Sequence, residues 1–377
     1  MLNEITKLLT IKPGLKAREI AKHTGFLRSK ISVFLREEDN IFSQCSEHKW
    51  SLIDPTNIIK TLELTLSTSG WISSEIFERN LKKIGSPLLL QAHNIIIVIP
   101  KKSKILLEAI SKTLALTNQL AYENKSIALR IEDPQVFSYL DRAGFFHLLN
   151  ANVEVFPERP KDSRSKKYMG GNKRLVEFRE INHKSSCEEI TRQLNKNYLE
   201  NIKNGDEVLM FTILGELIGN VNKHSESPIP GFAALQIYDK NNPRIQAVIS
   251  DSGKGIAGTL EPILSEKYPE LAAKYDLTKS KDRAFLVIEA FKNGKISRNG
   301  KGDGSGLHRS SESAAKVASN FAKDNRAQIT VRQDNFELTF KYSSKKIIEN
   351  TCKFGMPLIR GTHICFDFSL TNDTYSP

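Results

Sequence analysis

The fold is decided by Glu216-Leu-Ile-Gly-Asn-Val-Asn-Lys-His224, which is followed by Asp251-Ser-Gly-Lys-Gly-Ile256 and Gly302-Asp-Gly-Ser-Gly-Leu307. In the first block, Glu216 and Asn220 are four residues apart on a helical pattern, so a carboxylate and an amide project from nearly the same face. Oxygen ligands of this kind hold Mg²⁺, and a carboxylate can orient or deprotonate a water or a hydroxyl. The first block therefore predicts the metal-binding and catalytic side of a magnesium-nucleotide site.

The second and third blocks supply the other parts of a nucleotide pocket. The apolar run Ile245-Gln-Ala-Val-Ile249 is typical of a buried strand, and Asp251 follows at its end. This carboxylate can accept a hydrogen bond from an exocyclic amine, while Gly253 and Gly255 let the backbone approach a flat ring. In the third block, alternating glycines precede a long helical pattern, whose first backbone amides can cradle phosphates.

Taken singly, the blocks are also explained by a solvated helix face and two glycine turns, because glycine punctuates many loops. In this order, with strands and helices around each, they favour one pocket. Residues 186 to 370, about half of the chain, resemble the GHKL (Bergerat-fold) ATP-binding domain. That domain is shared by DNA gyrase, mismatch-repair ATPases, sensor histidine kinases and anti-sigma-factor kinases.

The resemblance implies ATP and Mg²⁺ as ligands and gives each block a role. It makes Glu216 the general base, Asn220 the magnesium ligand and Asp251 the acid that reads adenine. A final segment, entered through a Gly-Thr pair at Gly361, resembles the family's last strand. The other nucleotide-binding residues that the resemblance implies are Lys223, His224, Gly253, Gly255, Ile256, Gly302, Gly304, Ser305, Gly306, Leu307 and Thr362.

The composition predicts two or three globular domains and no membrane span. The chain has 377 residues, of which 39% are hydrophobic and 26% charged, and both fractions are ordinary. No apolar run is long enough to span a membrane, and the N-terminus lacks the segments of a signal peptide. The four cysteines form no CxxC pair, so neither a disulfide framework nor a zinc site is indicated. We therefore expect a cytoplasmic protein with no membrane partner.

Positive charge is concentrated in two segments of this basic chain. The net charge of +12 permits a polyanionic partner without requiring one. Residues 158–174 hold seven Lys or Arg against two acids and form either a solvated linker or a phosphate-contacting arm. Residues 279–301 also hold seven against two, within about 45 residues that separate the second and third blocks. This basic insertion suits a lid over the nucleotide, in which Lys295, Arg298 or Lys301 neutralises phosphate charge.

The N-terminal segment shows a helix-turn-helix pattern. Apolar positions within 17–21 and 31–35 give two helical faces separated by Gly25, and 41–42 and 50–53 suit a two-stranded wing. The pattern resembles the winged helix-turn-helix domains of prokaryotic regulators, which implies duplex DNA as a partner. The alternative is a protein-interaction module, because nine basic against seven acidic residues leave the segment nearly neutral. The predicted DNA contacts are Arg28, Ser29, Lys30, Ser32 and Arg36 on the recognition helix and Lys49 in the wing.

The predicted fold class is multi-domain α/β, with an N-terminal winged helix, a small α/β middle domain and a C-terminal Bergerat α/β sandwich. In the middle domain, strands alternate with helices, which favours parallel strand pairing. Its segment 136–146 resembles the last helix of STAS domains, the partners of anti-sigma kinases, and so implies a protein partner. The predicted units are a winged helix-turn-helix over 1–55, a helical connector over 56–90, a small α/β domain over 91–157, a basic linker over 158–185 and a GHKL ATP-binding domain over 186–377.

Two functions follow from these expectations. The first is an ATP-binding regulatory protein, in which a mobile lid controls nucleic-acid or partner binding by the winged helix, with slow Mg²⁺-dependent ATP hydrolysis. Regulators and mobile-element or phage-defence proteins are contexts for such a pairing. The second is a serine/threonine kinase resembling anti-sigma-factor kinases, in which Glu216 activates a partner's hydroxyl. A scaffold with structural ATP, and assembly into a homo-oligomer, are left open by the sequence.

Overall fold

The structure is a computed structural model that describes residues 1–38, 41–53, 61–67, 70–182, 187–203, 205–239, 243–293, 296, 306–320, 327–343 and 346–370. It is a mixed α/β protein with several sheets. Within these ranges, no helix combines the length and the apolar character that crossing a membrane requires.

The N-terminal unit contains three helices and three short strands. They are α1 (Leu2–Ile11), β1 (Leu15–Lys16), α2 (Ala17–Thr24), α3 (Arg28–Glu37), β2 (Phe42–Gln44) and β3 (Lys49–Leu52). The strands form an antiparallel sheet of order β1-β3-β2. Gly25 ends α2 in the left-handed region, at φ 74°, where glycine is unstrained. The chain turns there, so that Ile20 and Ile31 of the two helices share one core with Trp50.

The second unit is built on a four-stranded parallel sheet. Its elements are β4 (Thr61–Thr65), β5 (Trp71–Ile72), α4 (Ser74–Ile84), β6 (Asn94–Ile99), β7 (Lys104–Ile105), α5 (Leu107–Tyr122), β8 (Ser126–Ile131), α6 (Pro134–Arg142), α7 (Phe145–Leu148) and β9 (Glu154–Phe156). The strand order is β4-β6-β8-β9, and β5 and β7 form a separate parallel ribbon. The predicted parallel pairing is confirmed.

The prediction of a helical connector over 56–90 is wrong for residues 61–65. These residues form β4, which pairs with β6 in parallel register, whereas α4 is helical as expected. In Thr61-Leu-Glu-Leu-Thr65, Leu62 and Leu64 are buried while Thr61 and Glu63 are exposed. This alternation has the two-residue period of a strand, which the apolar content of the segment masked.

The prediction of a basic linker over 158–185 is also wrong in part. Residues 164–168 form a short helix, α8 (Arg164–Tyr168), and residues 175–181 form a strand, β10 (Leu175–Ile181). Arg159 donates hydrogen bonds to four backbone carbonyls between residues 146 and 153, so its guanidinium caps the C-terminal end of α7. The high density of basic residues suggested a linker, so neither β10 nor the structural role of Arg159 was predicted.

The C-terminal unit contains a seven-stranded sheet that is antiparallel throughout its described pairs. With β10 at one edge, the order is β10-β11-β12-β16-β13-β14-β15. The remaining elements are α9 (Cys187–Asn201), α10 (Glu207–His224), β11 (Gly231–Tyr238), β12 (Arg244–Ser250), α11 (Gly255–Lys267), α12 (Pro269–Lys274), α13 (Ser280–Lys292), α14 (Gly306–Asn320), β13 (Ala327–Asp334), β14 (Phe336–Ser343), β15 (Lys346–Lys353) and β16 (Ile359–Ser369).

The seven-stranded sheet is covered on both faces. In β12, Ala247 and Ile249 belong to the core shared with helices α9 to α14, while Val248 belongs to the core of the second unit. The second unit therefore packs on the sheet through the buried helix α5. Since successive strand residues point to opposite faces, the continuous apolar run of β12 reflects burial on both sides.

The basic insertion before the third block is largely helical. Residues 255–267 and 280–292 form α11 and α13, and Leu286, Val287 and Phe291 of α13 are fully buried. This part of the predicted lid is therefore core structure. The predicted phosphate-neutralising residues Lys295, Arg298 and Lys301 lie outside the described residues.

Candidate functional site

A cavity of about 300 Å³ collects residues from all three sequence blocks and from the last strand. It lies between α10, α11 and α14 on the helical side of the sheet, above the ends of β12 and β16. The predicted site residues that line it are Glu216, Asn220, Lys223, Asp251, Gly255, Ile256, Gly306, Leu307 and Thr362.

Helix α10 supplies the polar side of the cavity. Its N-cap, Asp206, accepts a hydrogen bond from the Leu209 amide at 3.0 Å, and this begins the helix. The apolar positions of α10 are buried in the helical core. Glu216, Asn220 and Lys223 follow one another at helical spacing and line the cavity. A carboxylate, an amide and an ammonium group are thus presented in one row.

Asp251 is buried at the end of β12, with only 6% of its surface exposed. Its Oδ1 accepts a hydrogen bond from the Gly253 amide at 2.7 Å. Its backbone exchanges hydrogen bonds with Thr362, from Asp251 N to Thr362 O at 2.9 Å and from Thr362 N to Asp251 O at 3.2 Å. Burial raises the pKa of Asp251 to about 6, although hydrogen bonds from Gly253 and Thr362 act in the opposite direction. The carboxylate is ionised at neutral pH and has accepting capacity left for a ligand.

Close backbone approach explains two of the glycines around Asp251. A Cβ on Gly253 would lie 1.7 Å from the Ser225 carbonyl oxygen at the end of α10. Gly361 has φ +89°, and a Cβ there would lie 2.2 Å from the Asp251 carbonyl oxygen. Gly253 supports the cavity from behind and does not appear among the residues that line it. No larger residue fits at either position without moving the Asp251 loop.

Apolar side chains enclose the space in front of Asp251. A flat ring held between such walls would leave water, and the single buried carboxylate would fix its orientation. The sequence predicted only Ile256 and Leu307 of this set. The apolar residues that line the cavity are Leu217, Val221, Ile249, Ile256, Leu260, Ala290, Ile296, Leu307 and Ile364.

The start of α14 closes the other end of the cavity. A Cβ on Gly306 would lie 2.6 Å from Oε2 of Glu216, so any larger residue would displace this carboxylate from its present position. Arg309, one turn into α14, forms an ion pair with Glu216, with 3.2 Å between Nη2 and Oε1. Gly302, Gly304 and Ser305 lie outside the described residues, as does the side chain of His224.

Besides these apolar residues, sequence reasoning missed two residues that make polar contacts at the site. Arg309 follows Gly306 by three residues, and that helical spacing was the available signal. Gln333 is fully buried on β13 and accepts a hydrogen bond from the Ile256 amide at 2.9 Å. Gly255 has φ +71°, and a Cβ there would lie 2.6 Å from Gln333 Cδ. Nothing in the sequence near Gln333 indicates this long-range contact.

The predicted DNA-contacting residues lie elsewhere, in the N-terminal unit. On α3, Arg28, Ser29, Lys30 and Arg36 are exposed, while Ser32 is half-buried. Lys49 on β3 is paired with Glu47. None of these residues lines the cavity.

The described residues offer few metal ligands at the cavity. In the ranges described above, no group of three or more His, Cys, Asp or Glu side chains could hold a metal ion. Mg²⁺ keeps several waters and binds substrate phosphates, so it needs only one or two protein ligands. The oxygens of Asn220 and Glu216 fit that requirement.

Comparisons with protein-family models, with curated proteins and with solved structures found no match to this chain.

Proposed function

We propose that the cavity binds ATP with Mg²⁺ and that the chain is an ATP-dependent regulatory protein. The observation that carries this proposal is the division of the cavity into two ends. One end has apolar walls and the buried carboxylate of Asp251, and the other, at the start of α14, presents Glu216, Asn220 and Arg309. Lys223 lies further along α10, toward the Asp251 loop. A nucleotide has the same division, between a flat ring with an exocyclic amine and a charged phosphate chain.

In this proposal each end of the cavity has its own chemistry. The ionised Asp251 accepts a hydrogen bond from the adenine amine, and the apolar walls exclude water from the ring. Lys223 and Arg309 provide positive charge, and the first amides of α14 face anions favourably. Asn220 would hold Mg²⁺, which when bound offsets phosphate charge.

Glu216 would orient the attacking water. Its present partner is Arg309, and a phosphate group competes with the carboxylate for the guanidinium. Nucleotide binding would thus release Glu216 toward water. We expect slow Mg²⁺-dependent hydrolysis in which Glu216, whose side chain is 27% exposed, acts as the base.

We further propose that the N-terminal unit acts as a winged helix and that nucleotide state controls its binding to duplex DNA. Its support is the exposed row Arg28, Ser29, Lys30 and Arg36 on the second helix of a helix-turn-helix. Basic side chains on such a helix suit contacts with phosphates and base edges. Gel-shift titration of Arg28→Ala/Lys30→Ala against the unmodified chain tests this, and equal affinities would contradict it.

Labelled ATP tests the nucleotide proposal. Purified protein is incubated with γ-labelled ATP and Mg²⁺, and filter binding, phosphate release and autoradiography are measured with and without duplex DNA. Glu216→Gln should keep ATP binding and lose at least tenfold of phosphate release. Glu207→Gln, an exposed glutamate in the first turn of the same helix, is the matched control.

The same experiment separates the alternatives. Label transferred to a protein hydroxyl would indicate a kinase. ATP binding without turnover in the unmodified chain would indicate that ATP is structural. Absence of ATP binding would contradict the nucleotide proposal altogether.

A further inference from the structure

A second cavity, of about 630 Å³, lies on the opposite side of the seven-stranded sheet. Its walls are the ribbon β5–β7, helix α6 and the adjoining ends of β10 and β11. It continues into a depression beside α8, because both are lined by Gln135, Tyr139 and Arg142. We call the combined surface the aromatic cleft. The ATP proposal makes no use of it.

The aromatic cleft exposes rings that ordinary packing would cover. Trp71 is 51% exposed, and its ring meets Tyr238 edge-on at a centroid distance of 6.4 Å. Tyr168, 46% exposed, lies at the other end of the cleft. Large exposed rings in a concave surface are typical of sites that stack a partner's rings.

Cations accompany each exposed ring. Lys104 Nζ lies 5.3 Å from the centroid of Trp71, and the Arg142 guanidinium lies 5.1 Å from that of Tyr168. Arg164 and Arg174 extend the positive charge along the cleft. Among the described residues that line it, the acid is Asp239, and Arg174 pairs with it. Arg142 also lies 3.8 Å from the buried carboxylate of Glu177. The charges that no acid lining the described cleft offsets are therefore those of Lys104 and Arg164, beside the aromatic faces.

Two polar groups in the aromatic cleft have no hydrogen-bond partner among the described residues. Ser103 is 3% exposed, and its hydroxyl makes no hydrogen bond. The Nε of Arg142 is likewise buried and unpaired. Both residues line the cleft. Buried polar groups in proteins are nearly always paired, so a water or a polar ligand group that enters the cleft would complete these two.

We propose that the aromatic cleft binds single-stranded nucleic acid. A base stacks on Trp71, while Arg142, Lys104 and Arg164 contact phosphates. Sequence-independent binding of single strands combines these two features, a basic groove and stacking rings. A strand fits better than one free nucleotide because cation-ring pairs occur at both ends of the cleft. The proposal is independent of the ATP site and of the DNA contacts proposed for α3.

Fluorescence provides a direct test, because the chain has two tryptophans and Trp50 is buried in the N-terminal core. Unlabelled oligothymidylates of one, four and eight nucleotides are titrated into the full chain carrying Arg28→Ala/Lys30→Ala, which removes the proposed α3 contacts. We expect quenching that tightens with length and weakens with salt. In the same background, Trp71→Phe should remove most of the quenching signal.

Affinity is measured separately, by anisotropy of a labelled eight-nucleotide strand. Trp71→Ala should weaken binding by roughly tenfold, as expected for the loss of one stacked base. Arg142→Gln should weaken it and lower its salt dependence. Lys82→Ala, at an exposed lysine on α4 that does not line the cleft, is the control and should bind unchanged.

Unchanged affinity in both Trp71→Ala and Arg142→Gln would overturn the proposal. Binding of thymidine monophosphate as tight as that of the eight-nucleotide strand would overturn the assignment to a strand. Because Arg142→Gln leaves the exposed tryptophan in place, its result stands if Trp71→Ala fails to fold.

Discussion

At Asp251, the charge that the proposed nucleotide site requires lowers the stability of the folded state. Burial raises its pKa to about 6, above the value of an unfolded chain, so the folded state favours the protonated carboxyl. The stability associated with this group is present below about pH 4 and is lost as pH rises through 6. In the proposed nucleotide site, this charge is the acceptor for the adenine amine.

Asp251→Asn should therefore stabilise the protein and weaken nucleotide binding. At pH 7.5, we expect the free energy of unfolding to rise by about 1–3 kcal/mol, since no buried charge remains. ATP affinity should fall roughly tenfold or more, because the amine loses a charged acceptor. Urea unfolding and calorimetric titration measure the two effects. A variant that binds ATP like the unmodified chain would contradict the assigned role of Asp251.

The pH dependence of ATP binding gives a second measurement on the same residue. In the unmodified chain, affinity should fall as pH drops below about 6, because the carboxyl becomes protonated. Asp334, whose pKa burial also raises, is the nearby acid that adds to this effect. Asp251→Asn should show a flatter profile between pH 5 and 7.5. A profile that is equally steep in the variant would assign the titration to another group.

At the residue scale, sequence spacing predicted the site residues that share one helix or that follow directly after a strand. Glu216 and Asn220 lie on one helix, and Asp251 follows a strand that the sequence shows as a continuous apolar run. Gln333 could not be predicted, since it lies 77 residues from Ile256, whose amide it binds. Such a contact depends on how distant elements pack.

Helix α5 contributes to the site from the far side of the sheet. Gln119 Nε2 donates hydrogen bonds to Ser252 Oγ at 2.9 Å and to the Arg360 carbonyl at 2.8 Å. Its Oε1 accepts one from the Arg360 amide at 2.9 Å. One buried side chain thereby joins the loop after Asp251 to the turn that leads into Thr362.

Gln119→Leu should loosen this loop while leaving the helix packed. The loss of hydrogen bonds worth about 1 kcal/mol each is expected to lower ATP affinity roughly tenfold. Calorimetry measures the affinity, and circular dichroism checks the fold. Thr117→Val on the same helix is the control, because within the described part of the chain its hydroxyl donates to the Thr113 carbonyl of its own helix. Equal losses in both variants would indicate general destabilisation of α5.

At the element scale, the sequence predicted the buried strand β12, helix α10 and the parallel strands of the second unit. It failed for β4 and β10. In β4 the apolar residues were assigned to a helical period, and in β10 a basic neighbourhood suggested a linker. Both strands are edges of their sheets, so each pairs with another strand on one side only.

At the scale of the whole molecule, buried ion pairs join the second unit to the C-terminal unit, which separate domains would not require. Lys112 of α5 is 1% exposed and lies 3.1 Å from Glu78, 3.5 Å from Glu108 and 2.9 Å from Glu337. Arg332 pairs with Glu78, and Lys353 pairs with Glu337. This buried ion cluster links α4 and α5 to β13 and β14. The sequence could not show it, because Lys112 and Glu337 are 225 residues apart.

The Glu337 carboxyl should make the stability of the joined units pH-dependent. Burial by itself would raise its pKa, but the charges of Lys112 and Lys353 hold the pKa at about 2. Since this value is below that of the unfolded chain, the stabilisation is present above about pH 4.5 and is lost as pH falls toward 2. Urea unfolding midpoints between pH 3 and 6 measure the effect. Glu337→Gln should reduce the slope, and an unchanged slope would contradict this role.

Lys112→Met should destabilise both units together, because it leaves three carboxylates around two cations in a buried space. Removing one partner from a buried ion pair typically lowers the free energy of unfolding by about 3–5 kcal/mol. Lys82→Met, at an exposed lysine on α4, is the matched control and should change it by less than about 0.5 kcal/mol. Urea unfolding followed by circular dichroism and hydrogen exchange should show the parallel sheet and the seven-stranded sheet losing protection together. If the parallel sheet alone loses protection in Lys112→Met, the two units are separate folding domains that merely touch, and the buried cluster does not unite them.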